Sequence, residues 1–405
     1  MAMKVRVILS SVLVLAAMSL ASCGHYTCGA TFGSSTCTPA GGGVSQGGGT
    51  TTGDAFVYVA DAGGIQGETF DAGAGTITNI PNPVTGIDPN ASNYWMVIAQ
   101  KQYLYVGYPG LGQIYAYSIS SDGSQTAIAG SPFSVSFLIG STIGGSQAMI
   151  ANPAGTLLFV MEQSANAVYV YTIGAGGVLT QAGSPLVLSF LPLNLAVDGL
   201  GKYLYVTSAS LDTSVLPQIG AYSIGSDGSL TVVPNSPFIS NGLNLNFAVA
   251  QMQGDPSGKY MIGTTSSITS SDPHLYVLSI ASDGELSPVA GSPFPTTSSP
   301  SFVTVQPSTG GTLVYSITVN SSDVGGFVEG YQLDPTTGIL TADSGSPFGI
   351  TGDYAQFDQA GTYLFVRDLF NKDLSIYTVG TAGTLTNPTA SVGWGPGSWA
   401  PTDVP

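Results

Sequence analysis

Residues 226–238 read SDGSLTVVPNSPF, and residues 282–294 read SDGELSPVAGSPF. The two stretches are nearly the same thirteen residues, 56 positions apart. Each opens on Asp-Gly, which supplies the positive φ that a tight hairpin turn needs. Each then runs through a short strand and leaves it by Ser-Pro-Phe. Proline cannot donate to a sheet ladder, so it belongs on an outer edge. The stretch reads as the hairpin turn, outer strand and exit of a repeated antiparallel unit.

Working outward, an aromatic-aliphatic strand recurs seven times. The copies are FVYV (Phe56–Val59), YLYV (Tyr103–Val106), LLFV (Leu157–Val160), YLYV (Tyr203–Val206), YMIG (Tyr260–Gly263), LVYS (Leu313–Ser316) and YLFV (Tyr363–Val366). They are spaced 46 to 57 residues apart. Before each copy but the first lie a short apolar strand, such as WMVIA (Trp95–Ala99) or FVTV (Phe302–Val305), and a turn such as DGLG or DPSG. After it come a loop and a third strand, for example VYVYTI (Val168–Ile173) or HLYVLSI (His274–Ile280). The SDG or TTG turn and the outer strand complete the unit, which exits through GSPF, GSPL or NSPF. A β-rich period near 50 indicates propeller blades. No part of the body carries a sustained 3.6-residue period, which excludes a helical solenoid. The expected fold is all-β: a seven-bladed propeller of four-stranded antiparallel blades. The first copy lacks a preceding inner strand, while the chain continues past the last outer strand. The tail around Gly397–Ala400 is therefore expected to supply that strand and close the ring.

Composition agrees. The chain has 405 residues with 55 Gly and 20 Tyr, 43% hydrophobic and 7% charged, which suits a turn-rich β protein and not a disordered one. Seven Lys+Arg face 23 Asp+Glu. Such a surface repels phosphate backbones, so nucleic acid is excluded as a partner and phosphorylated ligands are disfavoured. Scattered carboxylates serve solubility; adaptation to an acidic exterior is the second reading of the same charge balance.

The N-terminus reads as an address. Lys4 and Arg6 precede an apolar run, Val7–Leu20, too short for a membrane span and suited to a signal peptide. It ends Leu20-Ala21-Ser22-Cys23, which resembles the lipobox of bacterial lipoproteins. By that resemblance residues 1–22 are a leader and Cys23 becomes the acylated N-terminus that holds the chain to a membrane of the cell envelope. Gly24, rather than Asp, points to the outer membrane by the same analogy. Cys28 and Cys37 follow, with His25 nearby. An oxidising compartment favours a Cys28–Cys37 disulfide; free thiols and a metal site with His25 are the alternatives, and the spacing matches no strong zinc pattern. Residues 23–53, Gly-rich from 38 onward, form a tether that spans roughly 20–25 Å over its last sixteen residues. Residues 54–405 form the propeller domain.

With the copies aligned, the YLYV strands, the Ile/Val-rich third strands, the DG-x-L-T turns and the GSPF exits resemble the lactonase family of seven-bladed propellers, of the 6-phosphogluconolactonase and YVTN-repeat types. The resemblance covers residues 54–405. It implies a His, Glu and Arg constellation near the central channel and hydrolysis of a lactone. The sequence departs from the family in the loop MEQSANAVYV, which lacks the family's Gly-x-Asp-Arg run. Apart from Arg6 in the leader, its one arginine is Arg367, and its histidines are His25 and His274.

Loops between second and third strands share one face. They bring forward Asp61, Glu68, Tyr108, Glu162, Asn166, Asp212, Asp272, His274, Asp323, Arg367 and Asp368. Lactone hydrolysis needs a base for water and an electrophile for the oxyanion. Glu162 or His274 is the candidate base and Arg367 the candidate electrophile. Each also reads as a solvated loop residue. Trp95, Trp394 and Trp399 read as core, with an aromatic platform at the channel mouth as the alternative. No nucleotide-binding glycine loop, nucleophile elbow or calcium loop occurs, and no cofactor or metal is expected. Two functions follow. The first is a non-catalytic module presenting its loop face to a protein or glycan; the second is an envelope lactonase acting on a weakly charged lactone. A closed ring needs no second subunit, so a monomer is expected.

Overall fold

A computed structural model describes residues 14–17, 26–31, 34–39 and 399–400. Between 55 and 393 it describes all but 62–63, 72–73, 82, 86–94, 109–111, 136–147, 209–215, 244, 246–247, 267–271, 309–310, 319–325, 353, 358–360, 369–370 and 372. Cys23, His25, Asp212, Asp323 and Trp394 lie outside the described residues.

Seven antiparallel sheets follow one another along the chain, and no α-helix occurs among the described residues. Blade 2 shows the plan. Trp95–Ala99 is innermost, followed by Tyr103–Tyr108, Gln113–Ile119 and the outer Gln125–Ala127, with Phe133–Ser134 returning to the third strand. In blades 1 to 6 the outer lane is thus split into two short strands. In blade 7 it is one continuous strand, Leu385–Gly393. Ring closure is as expected: Trp399–Ala400 pairs with Ala60 and Asp61 on the inner edge of blade 1. On that same edge the register also sets Val14–Ala17, from the apolar stretch read as a leader, against Ala55–Tyr58.

The split explains the serine of the SPF exit. At the gap, one backbone N–H of the third strand has no outer-strand partner, and a buried N–H without an acceptor is costly. The serine hydroxyl takes it. Ser131 Oγ accepts from Ala116 N at 2.8 Å, Ser236 Oγ from Ala221 N at 2.8 Å, Ser292 Oγ from Val277 N at 3.1 Å and Ser346 Oγ from Gly330 N at 3.0 Å. The Ser-Pro bond is cis at all four of these sites.

The opening Asp-Gly turns do more than reverse the chain. Gly123, Gly228 and Gly284 have φ of 81°, 86° and 92°. Each also lies against the preceding blade: a Cβ on Gly284 would come within 2.6 Å of the Tyr203 ring and 2.9 Å of Val233. The preceding blade also donates to turn glycines. Tyr58 OH bonds Gly123 O at 2.7 Å, Tyr105 OH bonds Gly177 O at 2.7 Å, Tyr205 OH bonds Gly284 O at 3.1 Å and Tyr315 OH bonds Gly383 O at 2.5 Å. The second aromatic of YLYV is therefore a clamp from one blade to the next. In blades 3, 5 and 7 the position holds Phe159, Ile262 and Phe365, which have no hydroxyl to give. Between the blades lie separate apolar clusters. Leu104, Val106, Leu158, Val160, Leu204 and Val206 are fully buried, each worth roughly 1.5–3 kcal/mol of transfer free energy.

Trp95 is buried in the interface core between blades 2 and 3. Upstream, Tyr26–Thr31 and Ser34–Pro39 form a separate two-stranded hairpin whose register sets Cys28 opposite Cys37.

Candidate functional site

The loop-face candidates stand at the ends of strands in three different blades. Glu162 ends the second strand of blade 3, Leu157–Glu162. Its carboxylate accepts from Ser164 Oγ and from Tyr169 OH, both at 3.1 Å. Burial, and then the Glu162 carboxylate, raise the Tyr169 phenol above its ordinary pKa.

His274 opens the third strand of blade 5, His274–Ile280. Its Nδ1 lies 2.7 Å from Asp272 Oδ1. Asp272 is buried and also accepts from Tyr276 OH at 2.7 Å and from the Thr265 hydroxyl. A carboxylate acceptor on one side assigns the ring proton to Nδ1, which leaves the lone pair on Nε2. The imidazole side chain is 31% exposed. This is the orientation a general base requires: a buried carboxylate behind the ring and a basic nitrogen free of it.

Arg367 lies near the end of the second strand of blade 7, Tyr363–Asp368, and is only 6% exposed. Its guanidinium carbon is 5.7 Å from the centre of the Tyr354 ring. Asp368 beside it accepts from Thr351 Oγ1 at 3.0 Å and from Asn371 N at 2.9 Å and Nδ2 at 2.7 Å. Among the described residues no hydrogen bond or ion pair joins any two of Glu162, His274 and Arg367. Of the other loop-face residues, Glu68 proves to be elsewhere. It sits inside a third strand, Gly64–Asp71, buried toward blade 7, because its side chain alternates with that of Gly67, which faces blade 2.

A second feature was not read from the sequence. A cavity of about 400 Å³ occupies the centre of the ring, lined by the inner strands of blades 2 to 7. It reaches the turns between first and second strands, at Gln100, Lys101, Pro153, Gly199 and Pro256. Those turns lie at the opposite end of the second strands from Glu162 and Arg367. Its polar lining is mostly amide: Gln100, Asn152, Gln251, Gln253 and Gln356. Gln251 Oε1 accepts from Val303 N at 3.0 Å, and Tyr354 OH donates to Gln356 Oε1 at 2.7 Å. The carboxylate of Asp198 is taken up by the backbone N–H groups of Leu200, Lys202 and Tyr203. Among the described residues Lys101 is the one cationic side chain in the lining. The aromatic wall is Phe302 against Tyr354, ring centres 4.1 Å apart, so Arg367 borders the cavity through the Tyr354 ring. Amides both donate and accept without charge, and aromatic faces take the apolar side of a ring. Such a lining fits an uncharged, hydroxyl-rich small molecule. The signal was present in the sequence: AQMQG (250–254) puts glutamine on alternate residues of an inner strand, where other inner strands such as WMVIA are apolar. No group of three His, Cys, Asp or Glu that could hold a metal is found among the described residues.

The fold has known counterparts in three dimensions. The fold is that of the lactonase-type propellers. A structure from Bacteroides uniformis provisionally described as a 6-phosphogluconolactonase is 15% identical, with TM-score 0.61, covering 83% of this chain and 98% of that one. The periplasmic gluconolactonase of Pseudomonas aeruginosa is likewise 15% identical with TM-score 0.61, covering 84% and 96%. A Bacteroides fragilis protein with the same provisional description as the first is 16% identical with TM-score 0.58, covering 85% and 99%. At these identities the likeness establishes the fold alone. No protein-family model and no curated protein matches the chain.

Proposed function

We propose that the chain is a cell-envelope propeller that binds an uncharged, polyhydroxylated small molecule, a sugar or sugar lactone, in its central cavity. The amide and aromatic lining of that cavity carries the reading. The described lining holds a single cation, Lys101, which argues against a phosphorylated ligand, since several cations would be needed to hold one. The gluconolactonase name of a structural neighbour points to the same ligand class. Lipid attachment at Cys23 would hold the ring at the envelope, outer membrane by the Gly24 analogy, and a Cys28–Cys37 disulfide would close the hairpin in the tether; the register that opposes the two cysteines supports that pairing. Calorimetric titration of the purified full-length chain with glucono-lactone, glucose and 6-phosphogluconate tests the reading. The uncharged compounds bind and the phosphorylated one does not; tighter binding of 6-phosphogluconate refutes it. Labelled palmitate enters the wild type and not Cys23→Ser if the anchor is right.

A second reading is favoured by the Asp272–His274 pair. In it the loop face hydrolyses a lactone: His274 Nε2 takes a proton from water as the water oxygen attacks the carbonyl carbon, then returns that proton to the ring oxygen as the acyl C–O bond breaks to give the open hydroxy acid, while Asp272 holds the imidazole and stabilises its cationic form.

A further inference from the structure

Each interface between blades is built from the same two positions. One is the residue after the outer strand whose N–H returns to the third strand: Ile80, Ile128, Ala182, Val233, Val289 and, in blade 6, Asp343. It packs onto the turn glycine of the next blade, in order Gly123, Gly177, Gly228, Gly284, Gly338 and Gly383. The other position lies in the third strand and faces the preceding blade. In blades 2 to 7 it holds Tyr117, Tyr171, Tyr222, Leu278, Tyr331 and Tyr377. In blade 1 it holds Glu68, opposite Val57. Two carboxyl groups thus replace side chains that are apolar or phenolic at the other described copies of these positions, and they flank one blade. Asp343 lies in the seam between blades 6 and 7, Glu68 in the seam between blades 7 and 1.

Both are 6% exposed. Asp343 Oδ1 accepts from Gln332 Nε2 at 2.9 Å, while Oδ2, aimed at Gly383 and Gly330, has no hydrogen-bond partner. The described ionisable side chains on that seam are the phenols Tyr315 and Tyr377, which burial raises, and two blade-7 carboxyls: Asp373, which accepts from Ser375 Oγ at 3.0 Å, and the buried Asp368, which accepts from Thr351 Oγ1 of blade 6 and from Asn371; none of them is a cation. Glu68 has the Asn79 amide, whose nitrogen, turned to the carboxyl, donates to Oε1 at 2.6 Å. The ionisable side chains described on blade 7's face of that seam are Tyr354, Tyr363 and Arg367. Among the described residues no ion pair joins Glu68 to Arg367, whose guanidinium lies over the Tyr354 ring, and Leu385–Gly393, which packs on the outer strand of blade 1, contains no ionisable residue. A charged carboxylate buried without a cation is unfavourable; the neutral acid is not.

We propose that blade 7 is a proton-dependent latch in the ring, docked most tightly when Asp343 and Glu68 are both protonated and opening locally when they ionise. Burial raises the pKa of both groups, Glu68 to about 7 and Asp343 above the ordinary aspartate value, so the transition falls in an accessible pH range. The extra docking strength is present below the pKa of the exposed groups and lost as pH rises through the values in the closed ring. The inference does not depend on which ligand the cavity holds. It gives the acidic composition a specific role: an acidic exterior keeps the ring shut.

Hydrogen exchange of the full-length chain, read by mass spectrometry at about pH 5.5 and pH 8 and corrected for intrinsic exchange rates, tests the proposal. Peptides covering Tyr354–Phe357 and Tyr363–Asp368 are expected to lose roughly tenfold or more of their protection at the higher pH. Peptides from Leu157–Glu162 and Tyr203–Ser208 are expected to change little. Asp343→Asn with Glu68→Gln keeps the shapes and removes the charges, and should abolish the difference. Equal pH dependence in blades 3, 4 and 7 of the wild type overturns the latch, whether or not the double variant folds. So does a pH-dependent loss in blade 7 that survives the double substitution.

Discussion

Replacing Tyr58, Tyr105, Tyr205 and Tyr315 together by phenylalanine isolates the blade-to-blade clamp, because each substitution removes one hydroxyl and leaves the ring in place. Each hydroxyl donates to a glycine carbonyl of the next blade at 2.5 to 3.1 Å. All four side chains are almost fully buried. Truncation therefore loses a bond and, except at Gly123, whose oxygen also accepts from Gln125 Nε2 at 3.2 Å, strands a desolvated carbonyl, at about 1–2 kcal/mol per site. The four sites lie in different interfaces and share no partner, so the losses add to about 4–8 kcal/mol. For a body of this length that is a fall in Tm of about 5–10 °C. The assay is thermal and urea unfolding of the quadruple variant beside Tyr222→Phe, whose ring is buried alike but whose hydroxyl clamps no turn. The control is expected within about 0.5 kcal/mol of wild type. A quadruple variant that melts within about 2 °C of wild type refutes the clamp, since even the low end of the estimate exceeds that.

The cavity, the dyad and the buried acid each give a further expectation. Gln251→Ala and Gln356→Ala each weaken binding of an uncharged sugar lactone about tenfold by calorimetry, the worth of one hydrogen bond in a closed site; unchanged affinity in both removes the cavity as the site. In any lactone turnover by the chain, His274→Ala and Asp272→Asn lower kcat by roughly a hundredfold or more, while Glu162→Gln, whose carboxylate is held by Ser164 and Tyr169, stays near wild type; the reverse pattern makes Glu162 the base. Glu68 has its pKa raised from the ordinary 4.5 to about 7 by burial. The folded state therefore holds the proton more tightly, and the stabilisation this gives is complete below the unfolded pKa and lost as pH rises through about 7. Tm is expected to fall from about pH 5 to pH 8, by at most about 3 kcal/mol in stability, and Glu68→Gln to flatten that fall. A Tm that rises over this range in wild type contradicts the burial of the group.

The ring was legible because its information is local and repeated. Asp-Gly turns, YLYV strands and proline exits state conformation within a few residues, and seven copies average out the two irregular ones, YMIG and LVYS, where Gly263 and Ser316 replace the usual valine. The chemistry was legible only in part, because it depends on which copies meet. Spacing alone placed Glu162, His274 and Arg367 on one face, and it could not show that Arg367 turns inward under Tyr354 or that Asp272 lies behind His274. Glu68 shows the limit sharply. Read as a loop residue, it lies on a buried strand, because only two residues separate the second strand of blade 1 from its third, leaving no long loop to carry it. The same alignment of copies that predicted the fold contained the better signal. At a position where six blades write Tyr or Leu and one writes Glu, the exception is buried by the rule that buries the others, and a proton then deals with its charge, since no cation among the described residues pairs with it. A repeat protein thus reveals its special sites as departures from its own consensus, and in this ring two of those departures, Glu68 and Asp343, border the blade next to the closure.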